Sequence, residues 1–274
     1  CFFLDLYARS HKRGGAWMAD CISRRRLPDS RIQNPVAFLT CNFIPPVGAK
    51  PSLLTHDDVV TLFHEFGHGL HHLLTQVDEP AVSGISGVPW DAVELPSQFL
   101  ENWCWETEAL NQISGHYETG ERLPSALLER MRGARNFQSA MQMLRQIEFS
   151  VFDMALHEGS PSTSVEELQA RIDAVRKEVA VLIPPAFNRF QNSFSHIFAG
   201  GYAAGYYSYK WAEVLSADAF SRFEEAGLFD EQSGRDFVRL VLESGGVNEP
   251  LENFVAFRGR PPEIDALLRH SGLA

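Results

Sequence analysis

The segment His64-Glu65-Phe66-Gly67-His68 constrains this chain more than any other. Two imidazoles four residues apart share one face of a helix, one turn from each other. Glu65 then lies next to His64 and can point at whatever the histidines hold. Neutral imidazole is a good zinc ligand, and a helix fixes the separation of the pair. Two ligands, a built-in general base and a third ligand from elsewhere make the zinc-peptidase pattern. A catalytic zinc keeps three protein ligands and one open position. Glu94, at the start of the next helical pattern, is the candidate third ligand. In such a site Glu65 takes the proton of the attacking water and later passes it to the leaving amine.

The competing reading is an exposed helix with two chance histidines. Gly67 weighs against it, because glycine costs about 1 kcal/mol in a helix interior. Its presence implies a packing reason, such as close approach of another element. The flanking positions are also apolar, which fits a buried helix. His71 reads as packing or as support for a ligand, and His72 as surface. Glu101, seven residues after Glu94, could orient a ligand imidazole or be a plain surface carboxylate.

Around this segment the pattern is mainly α, with a small β-sheet near the N-terminus. Ala16–Cys21 and Val36–Ile44 are short apolar runs bounded by glycine and proline, and read as two strands. Phe2–Tyr7 reads as a core segment. A helix is expected from Thr55 or His56 to about Thr75, with Asp57 and Asp58 at the positive end of its dipole. Its apolar stripe is Val59, Leu62, Phe63, Phe66, Leu70 and Leu73. The segment Gln76–Trp90 reads as an irregular loop. A second helix is expected over 91–113, with Asp91 and Glu94 at capping-box spacing and Pro96 tolerable only in the first turn. Further helical patterns cover 124–157, 164–183 with Ser164 as cap, 194–224, 230–243, 249–257 and 263–270.

With 45% hydrophobic residues the chain can build a full core, and its net charge of -11 argues against a nucleic-acid or anionic-membrane surface. The one basic run, Arg24-Arg25-Arg26, reads as a solvated loop. No apolar run is long enough to span a bilayer. Cys1, Cys21, Cys41 and Cys104 form no CxxC pair, so free thiols in a reducing cytoplasm are expected. The chain opens on Cys1 and a core-like segment, and so reads as a piece of a longer protein.

A second constellation runs from His196 to Tyr209. On one helix Tyr202, Gly205, Tyr206 and Tyr209 would share a face. Phenol hydroxyls are neutral donors suited to a developing oxyanion. The alternative is an aromatic packing stripe with glycines allowing close helix contact. Beside the metal motif, substrate contact is the favoured reading.

The segments His64–His72, Val93–Trp103 and Ala199–Tyr209, together with Ser86–Asp91 and Phe257–Arg260, resemble the thimet oligopeptidase family of zinc peptidases. The resemblance covers nearly the whole chain. It implies a zincin-like catalytic helix in a helical metallopeptidase domain over 1–274. It further implies one zinc ion on His64, His68 and Glu94, with Glu65 as catalytic base. Tyr209 is implied to stabilise the oxyanion and Tyr202 to contact substrate. His196 matches the substrate-contacting histidine of the dipeptidyl carboxypeptidase relatives, whereas in thimet-type members that histidine is shifted by one position. The loop Gly84–Gly87 is implied to line the cleft beside the scissile bond. The implied activity is hydrolysis of internal bonds of short peptides in the cytoplasm, with no nucleic-acid or membrane partner. Removal of C-terminal dipeptides is the runner-up. Family members are about twice this length or more, and their N-terminal helical half walls a deep channel. Without that half, a catalytically silent piece that needs its missing part is the third expectation.

Overall fold

The computed structural model describes residues 1–159 and 164–274. Five strands come first: β1 (Phe2–Tyr7), β2 (Trp17–Ile22), β3 (Arg25–Arg26), β4 (Ile32–Gln33) and β5 (Val36–Phe43). β5 is the centre of a three-stranded sheet in the order β1-β5-β2, parallel to β1 and antiparallel to β2. Its side chains alternate as a half-buried strand requires. Ala37, Leu39, Cys41 and Phe43 point into the core, and Phe38 is exposed. The core-like segment Phe2–Tyr7 is therefore a third strand, with Phe2, Phe3 and Leu4 exposed on the sheet edge. The basic run is not simply solvated. Arg24 pairs with Asp78 at 3.0 Å and Arg26 pairs with the same carboxylate, which ties the β3–β4 hairpin to the loop after the next helix.

That helix is α1 (His56–Leu74). Thr55 caps it in a complete capping box: its hydroxyl accepts from the Asp58 N–H at 3.2 Å, and its own N–H donates to the Asp58 carboxylate at 2.9 Å. α1 is sandwiched between the sheet and the helix over Leu95–Glu101. The expected apolar stripe from Val59 to Leu73 is only half-buried. The deeply buried positions are Glu65, Gly67, His68, Gly69, His71 and His72. The glycines explain this. A Cβ on Gly69 would lie 3.1 Å from Leu39 of β5, and one on Gly67 would lie 2.5 Å from backbone atoms of Pro96 and Ser97. Small residues let both layers close on the face that carries the histidines. His72, expected at the surface, is fully buried there and donates from Nε2 to the Ile22 carbonyl at 2.9 Å.

The single helix expected over 91–113 is broken into α2 (Trp90–Val93), α3 (Leu95–Glu101), a 3₁₀ turn (Asn102–Trp105) and α4 (Thr107–Ile113). Asp91 makes no capping box, because Pro89 occupies the N-cap. Pro96 cannot sit within a continuous helix, so the chain restarts at Leu95 with the proline in the first turn. Asn102 then donates to the carbonyls of Gln98 and Phe99 and to the Ser216 hydroxyl, which tightens the end of α3.

α5 (Ser125–Arg135) and α6 (Ser139–His157) divide the next pattern at Gln138, whose φ of 56° is left-handed. α7 (Val165–Val179) follows, with the Ser164 hydroxyl accepting from the Glu167 N–H. The helix expected over 194–224 is also two: α8 (Ser195–Ala199) and α9 (Ser208–Ala226). Gly201 at φ 86° and Ala204 at φ 54° prevent helical continuation through residues 200–207. α10 (Glu231–Phe237), a π turn (Val238–Leu242), α11 (Pro250–Arg258) and α12 (Asp265–His270) complete the chain close to their expected positions.

The larger core lies between α3, α9, α10 and α11. Phe99 stacks on Phe237 at 3.9 Å and meets Phe223 at 5.6 Å. A second core joins α6, α7 and α8 around Phe152 and Ile172, with Tyr206 in it. Among the described residues no helix is long and apolar enough to cross a membrane. All four cysteines are unpaired.

Candidate metal centre

Close approach of α1 and α3 at Gly67 sets the site. It places Glu94, at the junction of α2 and α3, against the histidine face of α1. Glu94 is 1% exposed, and its Oε2 lies 3.2 Å from both His64 Nε2 and His68 Nε2. The two imidazoles stand nearly perpendicular, 4.9 Å apart. Among the described residues these three side chains form the one group of His, Cys, Asp or Glu whose ligand atoms lie within 4.8 Å of one another. Two imidazole nitrogens and a carboxylate oxygen are a donor set suited to a divalent zinc-like cation. The His64–His68–Glu94 group could therefore hold a metal ion.

The partners around the group are as specific as the group itself. His64 donates from Nδ1 to Glu101 at 2.6 Å, leaving Nε2 directed at Glu94. Glu101 is thus an orienting group and not a bystander. Ser97 donates to Glu94 Oε2 at 3.1 Å, and Tyr202 donates to Glu94 Oε1 at 2.5 Å. Burial disfavours the charged carboxylate of Glu94, but hydrogen bonds and charge from His64 and His68 outweigh it and hold the group well below its ordinary value. Burial likewise opposes protonation of His64, yet Glu101 and Glu94 raise it to about 10. A metal ion held by the three side chains would take the place of the His64 proton. Burial pushes Glu65 up, with His64 and His68 pulling it back. His71 is pushed down to about 3 by burial first, and then by neighbouring His68 and His72. It is a neutral core residue.

The tyrosines reach the site without lying on one helix. Tyr202 lies in the 200–207 loop and Tyr209 in the first turn of α9, and their rings stack at 4.9 Å. Trp90 packs on Tyr202 at 4.4 Å. Burial first, and then the charge of Glu94, push both phenols far above their ordinary value, so they remain donors. His196, lowered by burial, lies 6.1 Å from Tyr209 and 6.3 Å from Tyr202, centre to centre.

His64, Glu65, His68, Glu94, His196, Tyr202 and Tyr209 all line one cleft of about 760 Å³. Its walls also include Arg13–Met18, which lead into edge strand β2, and Ile85–Val88. The loop after Gly84 thus borders the cleft. Ser97, Gln98 and Trp90 did not emerge from the sequence as members of the site. Ser97 had a signal, since it follows Glu94 by three residues on a helix. Gln98, which donates to the Tyr209 carbonyl at 3.1 Å, had none.

The profile of Peptidase family M3 matches residues 1–273. The chain belongs to this family. Over 273 residues it is 60% identical to oligopeptidase A of Salmonella typhimurium and, separately, to oligopeptidase A of Escherichia coli. Each alignment takes in 99% of this chain and 40% of the relative. Dipeptidyl carboxypeptidase of Salmonella typhimurium is 37% identical over 276 residues, again across 40% of its length. The chain therefore spans about 40% of the length of these M3 relatives. The fold matches PZ peptidase A with inhibitor 2 at a TM-score of 0.65 and 16% identity, over 98% of this chain and 42% of that one.

Proposed function

We propose that residues 1–274 are the catalytic domain of a zinc-dependent oligopeptidase that cleaves internal bonds of short peptides. One observation carries this reading: His64 Nε2, His68 Nε2 and Glu94 Oε2 converge in a cleft beside the buried carboxylate of Glu65. Zinc bound there would lower the pKa of a water to about 7 and polarise the scissile carbonyl. Glu65 removes the proton of the attacking water and delivers it to the leaving amine. Its raised proton affinity suits that exchange, since a base poised nearer neutrality both accepts and returns a proton. Tyr209 donates to the developing oxyanion, Tyr202 braces Glu94 and contacts substrate, and His196 contacts substrate from the far wall. Glu101 keeps His64 in the tautomer that presents Nε2.

Cleavage of internal bonds is supported by the 60% identity to proteins named oligopeptidase A, against 37% to one named dipeptidyl carboxypeptidase. The unpaired cysteines suit a reducing compartment, and we place the protein in the cytoplasm. The test is zinc content together with cleavage of an internally quenched peptide whose C-terminus is amidated. About one zinc per chain and turnover abolished by Glu65→Gln are expected. Strict release of dipeptides dependent on a free C-terminal carboxylate would overturn the choice of internal bonds. Absence of bound metal, with residual cleavage unaffected by Glu65→Gln, would overturn the peptidase reading itself.

A further inference from the structure

The loop that brings Tyr202 to Glu94 lacks regular secondary structure of its own. Residues 200–207 contain two left-handed positions, Gly201 and Ala204, and alanine adopts that conformation only when its surroundings force it. One buried side chain meets the backbone at this point. Asp153 of α6 is fully buried, and its two carboxylate oxygens each accept one loop N–H: Oδ1 from Ala204 and Oδ2 from Tyr206, both at 2.9 Å. His157, one turn on in α6, donates from Nδ1 toward the same Oδ1 at 3.0 Å and to the Asp153 carbonyl at 2.8 Å. The carboxylate is held by the loop it holds.

We infer that Asp153 is a positioning residue for the tyrosine pair, gripping the 200–207 backbone so that Tyr202 reaches Glu94 and Tyr209 stacks behind it. The two gripped amides, of Ala204 and Tyr206, lie on either side of Gly205, two and four residues after Tyr202. Fixing both sets the turn between Tyr202 and the first turn of α9. Other anchors flank the grip: the Tyr202 N–H donates to the His196 carbonyl at 3.1 Å and Trp90 packs on its ring at one end, and the Tyr206 ring packs in the second core with its hydroxyl on Gln146 at the other. An asparagine at 153 is a sharp probe, because it keeps the size but offers one acceptor where two N–H groups need one each. The catalytic consequence rests on the peptidase reading above, but the grip itself does not.

The experiment therefore has two readouts on the zinc-loaded chain. Residue-resolved amide exchange in Asp153→Asn is expected to quicken about tenfold to a hundredfold at Ala204 and Tyr206, the range for losing a hydrogen bond to a charged group, with α9 unchanged. With the quenched peptide, kcat is expected to fall about a hundredfold while KM stays within about threefold, as when an oxyanion donor is misplaced. Adding Asp153→Asn to the Tyr202→Phe/Tyr209→Phe double variant should slow it no further, since both side chains that the grip positions are then already truncated. Should Asp153→Asn fail to fold, His157→Ala at its one-third exposed site serves instead, with exchange quickening at Ala204 more than at Tyr206. Unchanged exchange at both amides overturns the inference, and so does a triple variant slower than Tyr202→Phe/Tyr209→Phe. A wild-type chain that cleaves nothing, but whose amides respond as described, removes the peptidase reading and leaves the grip standing.

Discussion

Replacing Gly67 with alanine tests how the metal centre is built. On propensity alone the change should help, since alanine is favoured over glycine by about 1 kcal/mol inside a helix. The structure gives the opposite sign. The new Cβ would lie 2.5 Å from the Pro96 carbonyl oxygen and 2.5 Å from Ser97 Cα, both backbone atoms that no rotamer change can move. Opening those contacts to an ordinary 3.4 Å displaces the start of α3 from α1 by about 0.9 Å. Overpacking of this kind costs about 1–3 kcal/mol, which cancels or exceeds the propensity gain. Glu94 sits two residues before Pro96, and metal–ligand distances tolerate only about 0.2 Å. Gly67→Ala should therefore be destabilised by up to about 2 kcal/mol without metal and lose zinc affinity by at least about tenfold. Urea unfolding of the metal-free chain and zinc titration against a chromophoric chelator measure the two effects. A variant that is about 1 kcal/mol more stable than wild type and binds zinc equally well would refute the reasoning, because α1 and α3 would then not be in the contact described.

Three other outcomes follow from the same contacts. Glu101→Gln leaves His64 Nδ1 without its anionic partner and should weaken zinc binding by about ten- to a hundredfold, with little change in unfolding midpoint; an unchanged affinity would dismiss Glu101 as an orienting group. Thr55→Ala removes the capping box of α1 and should lower stability by about 1 kcal/mol in urea unfolding. Asp218 is 1% exposed and accepts from Arg260 at 2.6 and 2.7 Å and from the Glu263 N–H at 2.8 Å. Burial alone would raise its pKa, but Arg260 and the Glu263 amide outweigh burial and lower it, so its stabilisation is complete above the unfolded value near 3.9 and is lost as pH falls through the lower folded value. Asp218→Ala should cost about 3–5 kcal/mol at neutral pH and flatten the acid limb of the stability curve below about pH 4; parallel wild-type and variant curves of Tm against pH would exclude this.

The parts legible in the sequence were those governed by short-range rules. The start of α1 follows from Thr55 or His56 with Asp57 and Asp58 in the first turn, the meeting of His64 and His68 on one face from their spacing, and the close approach at Gly67 from the cost of glycine in a helix. Where expectation and structure part, a contact distant in sequence decides. His72 reads as polar and exposed, but β2 supplies a carbonyl 50 residues away and Gly84 makes room for the ring. The 91–113 and 194–224 patterns are helical by composition, yet Pro96 in one and Gly201 with Ala204 in the other divide them. In both cases the break lies where a site residue must turn inward. The face of Tyr202 and Tyr209 was expected from helical spacing. The two rings do meet, by way of a left-handed loop whose conformation depends on Asp153, and nothing near residue 202 announces that carboxylate.

The seating of α3 also has a consequence in time. Phe99 is held by Phe223 and Phe237, the Trp103 indole donates to the Leu228 carbonyl, and Gln98 is tied to Tyr209. During synthesis the histidines and Glu94 leave the ribosome well before any of these partners exist. Until the last quarter of the chain emerges, α3 has α1 to rest against but lacks the α9 and α10 side of its packing. A nascent chain thus carries His64, His68 and Glu94 before it carries the packing that fixes α3, and the geometry of the three side chains is completed only with the docking of α9 and α10.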